Sequence, residues 1–178
     1  MKSLISDLKS YAQQDFPVPE ISSYLSTFEL QKNVLNEYVS FKTEKYARHL
    51  VHKDKDFEIL VVCWNPGQNA PIHGHEGEKC WMRVESGALQ VCNYKLDSLE
   101  PLALSMTNII KGEKGYLDGP ADIHSVENVY NEPAVSLHIY AKPFSECDIY
   151  CLDSGKIKSC LLYTSDADDD TPCVDLGG

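Results

Sequence analysis

The stretch LVVCWNPGQNAPIHGHEGEKCW, residues 60–81, carries the most informative pattern in this chain. It begins with an apolar run, breaks at the turn-forming segment NPGQN, and continues into a second short run that contains His73 and His75. Histidines two residues apart on a strand point to the same face of a sheet. Two neutral imidazoles side by side supply half or more of a transition-metal site. Taken alone, the pattern also fits two surface histidines near a turn.

Short runs with a period of two surround this stretch on both sides. From about Tyr46 onward, runs rich in Val, Ile, Tyr and Trp alternate with turn segments such as KGEKG, NEP and DSG. About ten strands at such regular spacing are typical of a β-sandwich or barrel. Residues 1–40 instead place apolar side chains at helical spacing in two pieces, which Pro17 and Pro19 separate. The sequence therefore predicts a mainly β protein with a small N-terminal helical cap.

Length and composition indicate one domain. The chain has 178 residues, and roughly 100–200 residues make a domain. No apolar run approaches the ~18 residues of a transmembrane helix, and the N-terminus lacks the apolar segment of a secretory signal. We predict a single domain over residues 1–165, with the helical cap at about 1–42 and the barrel at about 44–165. An acidic tail over 166–178 is expected to be disordered.

Charge and cysteine content limit the classes of partner and the cellular compartment that we expect for this protein. A net charge of -11 repels phosphate backbones, which argues against a nucleic-acid partner. The seven cysteines are odd in number and lack a CxxC pair, which argues against a disulfide framework and a zinc knuckle. We expect a monomeric, cytoplasmic protein without a membrane partner, in a reducing compartment. Cys92, Cys151 and Cys160 are expected in the core.

Two later segments hold further candidates. His124 lies in the run DIHSVEN, and a later strand of a closed barrel could bring it beside His73 and His75. In the run AVSLHIYA, residues 134–141, three polar side chains alternate with aliphatic ones. Either the aliphatic face packs in the core and the polar face meets water, or the polar side chains line the lumen as a hydrogen-bonded relay. The sequence leaves both open. The polar residues are Ser136, His138 and Tyr140.

The segment that contains His73 and His75 resembles a known motif. Gly67-x5-His73-x-His75-x4-Cys80-x6-Gly87 follows the first cupin motif, with a cysteine where most cupins have a glutamate. The resemblance implies a cupin-type jelly-roll β-barrel, which is a double-sheet fold with a metal ion bound at the open end of the barrel. The second cupin motif is partly present as Gly115…Pro120…His124-x3-Asn128.

With Cys80 in place of the glutamate, the sequence is similar to the thiol dioxygenases, and among them to the cysteine dioxygenase family. The resemblance runs from about residue 46 to about residue 155, through YARHLV, residues 60–81, IHSVEN, EPAVSLHIY and PFSEC in this order. It implies an enzyme that adds both atoms of O2 to the sulfur of L-cysteine to give cysteine sulfinic acid. It implies Fe(II) as cofactor and O2 as co-substrate, with no flavin, nicotinamide or haem.

The same resemblance implies roles for individual residues. The three histidines that hold iron in the family match His73, His75 and His124. The arginine that binds the substrate carboxylate matches Arg48, with a tyrosine at Tyr46. The family's Ser-His-Tyr relay matches Ser136, His138 and Tyr140. Its cysteine–tyrosine thioether crosslink would join Cys80 to Tyr140. Its cysteine near the substrate pocket matches Cys147.

The sequence leaves three other interpretations of the function open. Relatives that oxidise 3-mercaptopropionate tend to carry glutamine at the arginine position and to lack the crosslinking cysteine, so Arg48 and Cys80 favour L-cysteine. A non-catalytic metal-binding cupin is compatible with the fold alone. A metal-dependent isomerase would need a carboxylate ligand, for which the candidates are Glu76, Glu78 and Asp122. One departure from the family is Ala141-Lys142-Pro143, where Ser-Pro-Pro with a cis bond is common.

Overall fold

The computed structural model describes residues 1–75, 77–120, 122–143 and 146–161, the last residue by its backbone only. Three helices come first: α1 (Lys2–Ala12), α2 (Val18–Thr27) and α3 (Lys32–Asn36). The strands of the described ranges are β1 (Ala47–Lys53), β2 (Glu58–Trp64), β3 (Asn69–Gly74), β4 (Lys79–Ser86), β5 (Ala88–Leu99), β6 (Leu102–Glu113), β7 (Leu117–Asp118), β8 (Ile123–Glu127), β9 (Ala134–Ala141), β10 (Glu146–Cys151) and β11 (Lys156–Leu161).

The strands form two antiparallel sheets that face each other. The first sheet has the order β1-β2-β9-β4-β7, and the second has the order β11-β10-β3-β8-β5-β6. Neighbours that are distant in sequence, such as β2 beside β9 and β3 beside β8, show that later strands fold back between earlier ones. The predicted double-sheet jelly roll is confirmed, although the two sheets remain separate and do not close into a continuous barrel.

The first sheet is covered on both faces. One face packs against the helices, where Leu4 and Leu25 meet Ile59 and Leu137 in one buried cluster. Its other face packs against the second sheet, in a separate buried cluster that includes Leu60 on β2. Because successive strand residues point to opposite faces, odd-numbered positions of β9 face the helices and even-numbered ones face the space between the sheets. This layering places Ser136, His138 and Tyr140 in the interior.

Several boundaries differ from the sequence prediction. The second helical piece is two helices, and Pro17 and Pro19 begin α2 rather than only separating helices, because proline suits the first turn of a helix. β7 was not predicted, since two residues show no alternation.

The cysteine prediction is correct in part. Cys92 is buried, but Cys151 and Cys160 are only half-buried: Cys151 is the last residue of β10, and Cys160 lies on the edge strand β11. The predicted acidic tail lies outside the described residues. Within the described ranges, no helix has the length and apolar character that crossing a membrane requires.

Candidate functional site

Three imidazoles meet at neighbouring strands of the second sheet. His73 on β3 and His124 on β8 are register partners, and His75 follows the end of β3. One nitrogen from each ring lies within 4.8 Å of the other two, which suits a single metal ion. His75 and His124 are buried, at 2% and 1% exposure. The structure thus brings together the three histidines that the sequence singled out.

Hydrogen bonds fix the orientation of two of these rings. His73 Nδ1 lies 2.8 Å from the carbonyl oxygen of Pro71, to which it donates, so its Nε2 lone pair is available to a ligand. His124 Nδ1 donates in the same way to Asp118 Oδ2 at 2.9 Å. Burial and the neighbouring imidazoles of His124 and His75 lower the pKa of His73 well below its usual value. The neutral ring that results is the form that binds metals.

Asp118 is a residue of this site that the sequence analysis missed. Burial opposes its ionisation, but hydrogen bonds from His124, Asn93 and Tyr116 outweigh burial and hold its pKa below the usual value. Gly119 follows with φ +130°, and a Cβ there would collide with the carbonyl oxygen of Cys80. Only glycine therefore lets the chain pass this close to β4 while it presents Asp118 to His124. The available signal was an acidic residue in the run YLDGP shortly before the histidine strand.

A chain of hydrogen bonds runs along the inner face of β9. Trp64 Nε1 donates to Ser136 Oγ at 2.9 Å, and Ser136 Oγ lies 2.9 Å from His138 Nε2. The Tyr140 hydroxyl lies 3.2 Å from His138 Nδ1. Burial lowers the pKa of His138 well below its usual value and raises the pKa of Tyr140 well above its own. The sequence left the orientation of these side chains open; the structure places them in the interior, with Trp64 as a further member.

Cys80 and Tyr140 are direct neighbours across two strands. They are register partners on β4 and β9, and both side chains belong to the cluster between the sheets. Burial raises the pKa of the Cys80 thiol well above its usual value, and Asp118 raises it further. The peptide bond between Ala141 and Lys142, which the sequence left undetermined, is cis.

A cavity of about 90 Å³ adjoins the histidines. Its size is far below the roughly 300–1,000 Å³ of pockets for drug-sized ligands, so it suits a small molecule. Tyr46, stacked on Trp64 at 4.5 Å between ring centroids, forms part of its wall. The other predicted site residues that line it are Arg48, His73, His138, Tyr140 and Cys147.

The carboxylates proposed for an isomerase are not part of the described histidine group. Glu78 is half-buried and Asp122 is exposed, and the metal-type group found in the described ranges consists of His73, His75 and His124. Glu76 lies outside the described residues. Among the described residues, Asp118 contacts the group through the outer nitrogen of His124.

Comparison with known proteins gives the family. Residues 2–152 match the sequence profile of cysteine dioxygenase type I. The chain belongs to this family. It is therefore an enzyme, a thiol dioxygenase of the cupin type.

Individual relatives agree with this membership. Cysteine dioxygenase type 1 of Rattus norvegicus is 28% identical over 173 residues, covering 94% of this chain and 86% of the relative. The protein of the same description from Danio rerio is 28% identical, covering 87% and 81%. A Klebsiella pneumoniae protein with a double-stranded β-helix domain superposes with a TM-score of 0.51 at 17% identity, covering 76% of this chain and 98% of that one. That last likeness concerns the fold.

Proposed function

We propose that this thiol dioxygenase uses Fe(II) to add both atoms of O2 to the sulfur of L-cysteine, giving cysteine sulfinic acid. The observation that carries the proposal is one small cavity that has Arg48 and His73, one of the three clustered imidazoles, in its wall. Bound Fe(II) would supply the one-electron chemistry that the reaction of O2 with a thiol requires. The rest of the work falls to side chains of this chain.

The histidine group fits a divalent iron. Three imidazole nitrogens within 4.8 Å of one another, two with their outer nitrogens already hydrogen-bonded, form a preorganised donor set. Imidazole binds a metal ion as an uncharged ligand, so three histidines would not cancel the positive charge of the ion. That charge favours the thiolate form of a substrate over the thiol.

Arg48 supports the choice of an amino-acid substrate. A guanidinium stays charged at all relevant pH values and can hold a carboxylate through two parallel hydrogen bonds. Arg48 lies in the wall of the same cavity as His73. A molecule with a carboxylate at one end and a thiol at the other would therefore be held at both ends.

The relay can orient the hydroxyl of Tyr140. The Trp64 indole can only donate, so Ser136 accepts from it and can donate its own hydroxyl hydrogen bond to His138 Nε2. The imidazole proton then lies on Nδ1 and is donated to the Tyr140 oxygen. In this arrangement the Tyr140 hydroxyl accepts from His138 and can itself act as a donor in the cavity wall, to an oxygen atom or to the substrate carboxylate.

Substrate choice can be tested with three small thiols. Turnover should be most efficient with L-cysteine, weaker with 3-mercaptopropionate, which lacks the amine, and weakest with cysteamine, which lacks the carboxylate. Steady-state O2 uptake with each thiol measures kcat/KM. A preference for 3-mercaptopropionate would refute L-cysteine as the substrate, and iron-loaded protein that takes up no O2 with any of the three would refute the enzyme proposal.

Asp118 should strengthen metal binding through His124. Asp118→Asn is expected to weaken the affinity for Fe(II) by about 10–100-fold, because the partner of a ligating histidine fixes its tautomer and raises its basicity. Anaerobic competition with a coloured chelator measures this affinity. Asp122→Asn, at an exposed position of the same segment, is the control and should bind as the parent does. Equal affinity in Asp118→Asn and the parent would show that the Asp118–His124 contact has no such role.

Cys80 and Tyr140 should become covalently joined by a thioether between Cys80 Sγ and a ring carbon next to the hydroxyl. Directly opposed residues on antiparallel strands have Cβ atoms about 4.5–5.5 Å apart, close enough for this bond. The reaction removes two hydrogens, with O2 as the oxidant. The link would fix the phenol, so Cys80→Ser should slow turnover while iron binding and measurable activity remain.

Peptide mass mapping of protein aged with iron, L-cysteine and air tests the crosslink. A joined Cys80/Tyr140 peptide pair, lighter by two hydrogens than the sum of its parts, is the expected product. Cys92→Ser, at a buried cysteine of the second sheet, should still form it. Recovery of only separate, unmodified peptides after many turnovers would rule the crosslink out.

A further inference from the structure

A second pair of reactive side chains faces the cavity from strands that the proposed mechanism does not use. Cys147 on β10 and Cys160 on β11 are direct register partners. Both side chains line the cavity next to Arg48 and His73. Cys147 is buried at 2% exposure, and Cys160 is half-buried. Two thiols therefore lie opposite each other in one wall, one of them reachable from solvent.

The register of this pair satisfies the main geometric demand of a disulfide. Directly opposed residues in an antiparallel ladder have Cα atoms about 4.5–5.5 Å apart. Disulfides form at Cα separations of about 4.4–6.8 Å, so no strand needs to move far for these sulfurs to join. Cys151, the other half-buried cysteine of this hairpin, is opposite Lys156 and has no cysteine partner in the register of β10 and β11.

We propose that Cys147 and Cys160 form a redox-active dithiol, which the disulfide of a small thiol such as cystine oxidises reversibly. The Cys160 thiolate attacks one sulfur of cystine, forming a mixed disulfide and releasing one cysteine thiolate. The Cys147 thiolate then attacks the Cys160 sulfur, which forms the intramolecular disulfide and releases the second cysteine. Two protein thiols are oxidised by two electrons, and one cystine is reduced to two cysteines.

This dithiol gives the cavity a response to the ratio of thiol to disulfide around it. Since the cavity measures only about 90 Å³, drawing the Cys147 sulfur toward Cys160 changes the wall that a substrate would touch. A high proportion of cystine would thus close the site, and a high proportion of cysteine would reopen it by the reverse exchange. The disulfide itself rests on the strand register, and only its effect on turnover rests on the proposed function.

The bond can be tested on the full-length, iron-loaded protein without turnover. The protein is equilibrated anaerobically with cystine and cysteine at rising ratios, quenched with an alkylating agent and digested before aspartate and after lysine. Asp148 and Lys156 lie between the cysteines of this hairpin, so Cys147, Cys151 and Cys160 fall on separate peptides. A Cys147–Cys160 peptide pair should accumulate with the cystine ratio, disappear on reduction and persist in the control Cys151→Ser.

One single variant separates the two chemical steps. Cys147→Ser should stall at a mixed disulfide between Cys160 and cysteine, because the second thiol is missing. The proposal is overturned if both cysteines are recovered singly alkylated at every cystine ratio, or if the disulfides found join Cys151 or two molecules. In a separate assay, the rate of O2 uptake should fall in proportion to the linked fraction and return on reduction. Full linkage at an unchanged rate would overturn the control of turnover while leaving both the dithiol and the proposed function standing.

Discussion

Replacing His124 with alanine is expected to remove most of the bound iron and to reduce O2 consumption by about a thousandfold or more. A site with three protein ligands has no spare one, and His124 would be the ligand that β8 contributes beside His73 on β3. A metal ion contributes several kcal/mol to its reaction, and each ~1.4 kcal/mol is a tenfold change in rate. The same losses are expected for His73→Ala and His75→Ala.

Iron analysis of the purified variants, alongside O2 uptake, checks this expectation. His52→Ala is a matched control, because His52 is a half-buried histidine on β1 that pairs with Asp54 outside the histidine group. It should retain both iron and activity. A His124→Ala protein with normal iron content and normal activity would contradict the assignment of the metal centre.

Replacing Arg48 with alanine is expected to raise the KM for L-cysteine by about tenfold or more. A hydrogen bond to a charged group contributes about 1.5–3 kcal/mol, and the substrate carboxylate would lose this partner. Arg48 lies in the cavity wall, where exclusion of water strengthens such a contact. The effect should fall on kcat/KM for substrates that carry the carboxylate.

Cysteamine provides an internal control for the same variant. It has no carboxylate, so it should be a poor substrate of the parent protein, and Arg48→Ala should leave its kcat/KM nearly unchanged. Initial rates over a range of concentrations for both thiols and both proteins give the comparison. Equal turnover of cysteine and cysteamine by the parent would show that Arg48 does not select for the carboxylate.

The pairing of His73 with His75 could be predicted because it depends only on residues that are close together in the sequence. His73 and His75 are two apart on one strand, and strand geometry alone puts their side chains on one face. Placing His124 beside them required the pairing of β3 with β8, which the spacing of the cupin motifs implied but did not demonstrate. The regular spacing of strands and turns predicted a β-sandwich or barrel, and the resemblance to the cupin motifs implied the double-sheet jelly roll.

The inner chain of hydrogen bonds was harder to place because β9 is buried on both faces. An alternating pattern normally marks one wet face and one dry face. Here the helical cap covers the aliphatic face, so the polar face is free to line the interior around Ser136 and His138. The sequence showed the alternation but not which face each layer covers.

The role of Asp118 could not be predicted from the sequence for a different reason. Its role depends on β7, a two-residue strand that pairs with Met82 and Arg83 of β4. So short a strand leaves no periodic pattern, and the contact with His124 exists only once β7 and β8 are both in place.

The most direct test of the central claim is the reaction of the iron-loaded protein with L-cysteine under ¹⁸O2. O2 uptake and the mass of the product are measured together in one sample. One O2 should be consumed for each cysteine, and cysteine sulfinic acid should carry label in both sulfinate oxygens. Uptake that yields cystine and hydrogen peroxide, or a sulfinate with only one labelled oxygen, would contradict the claim.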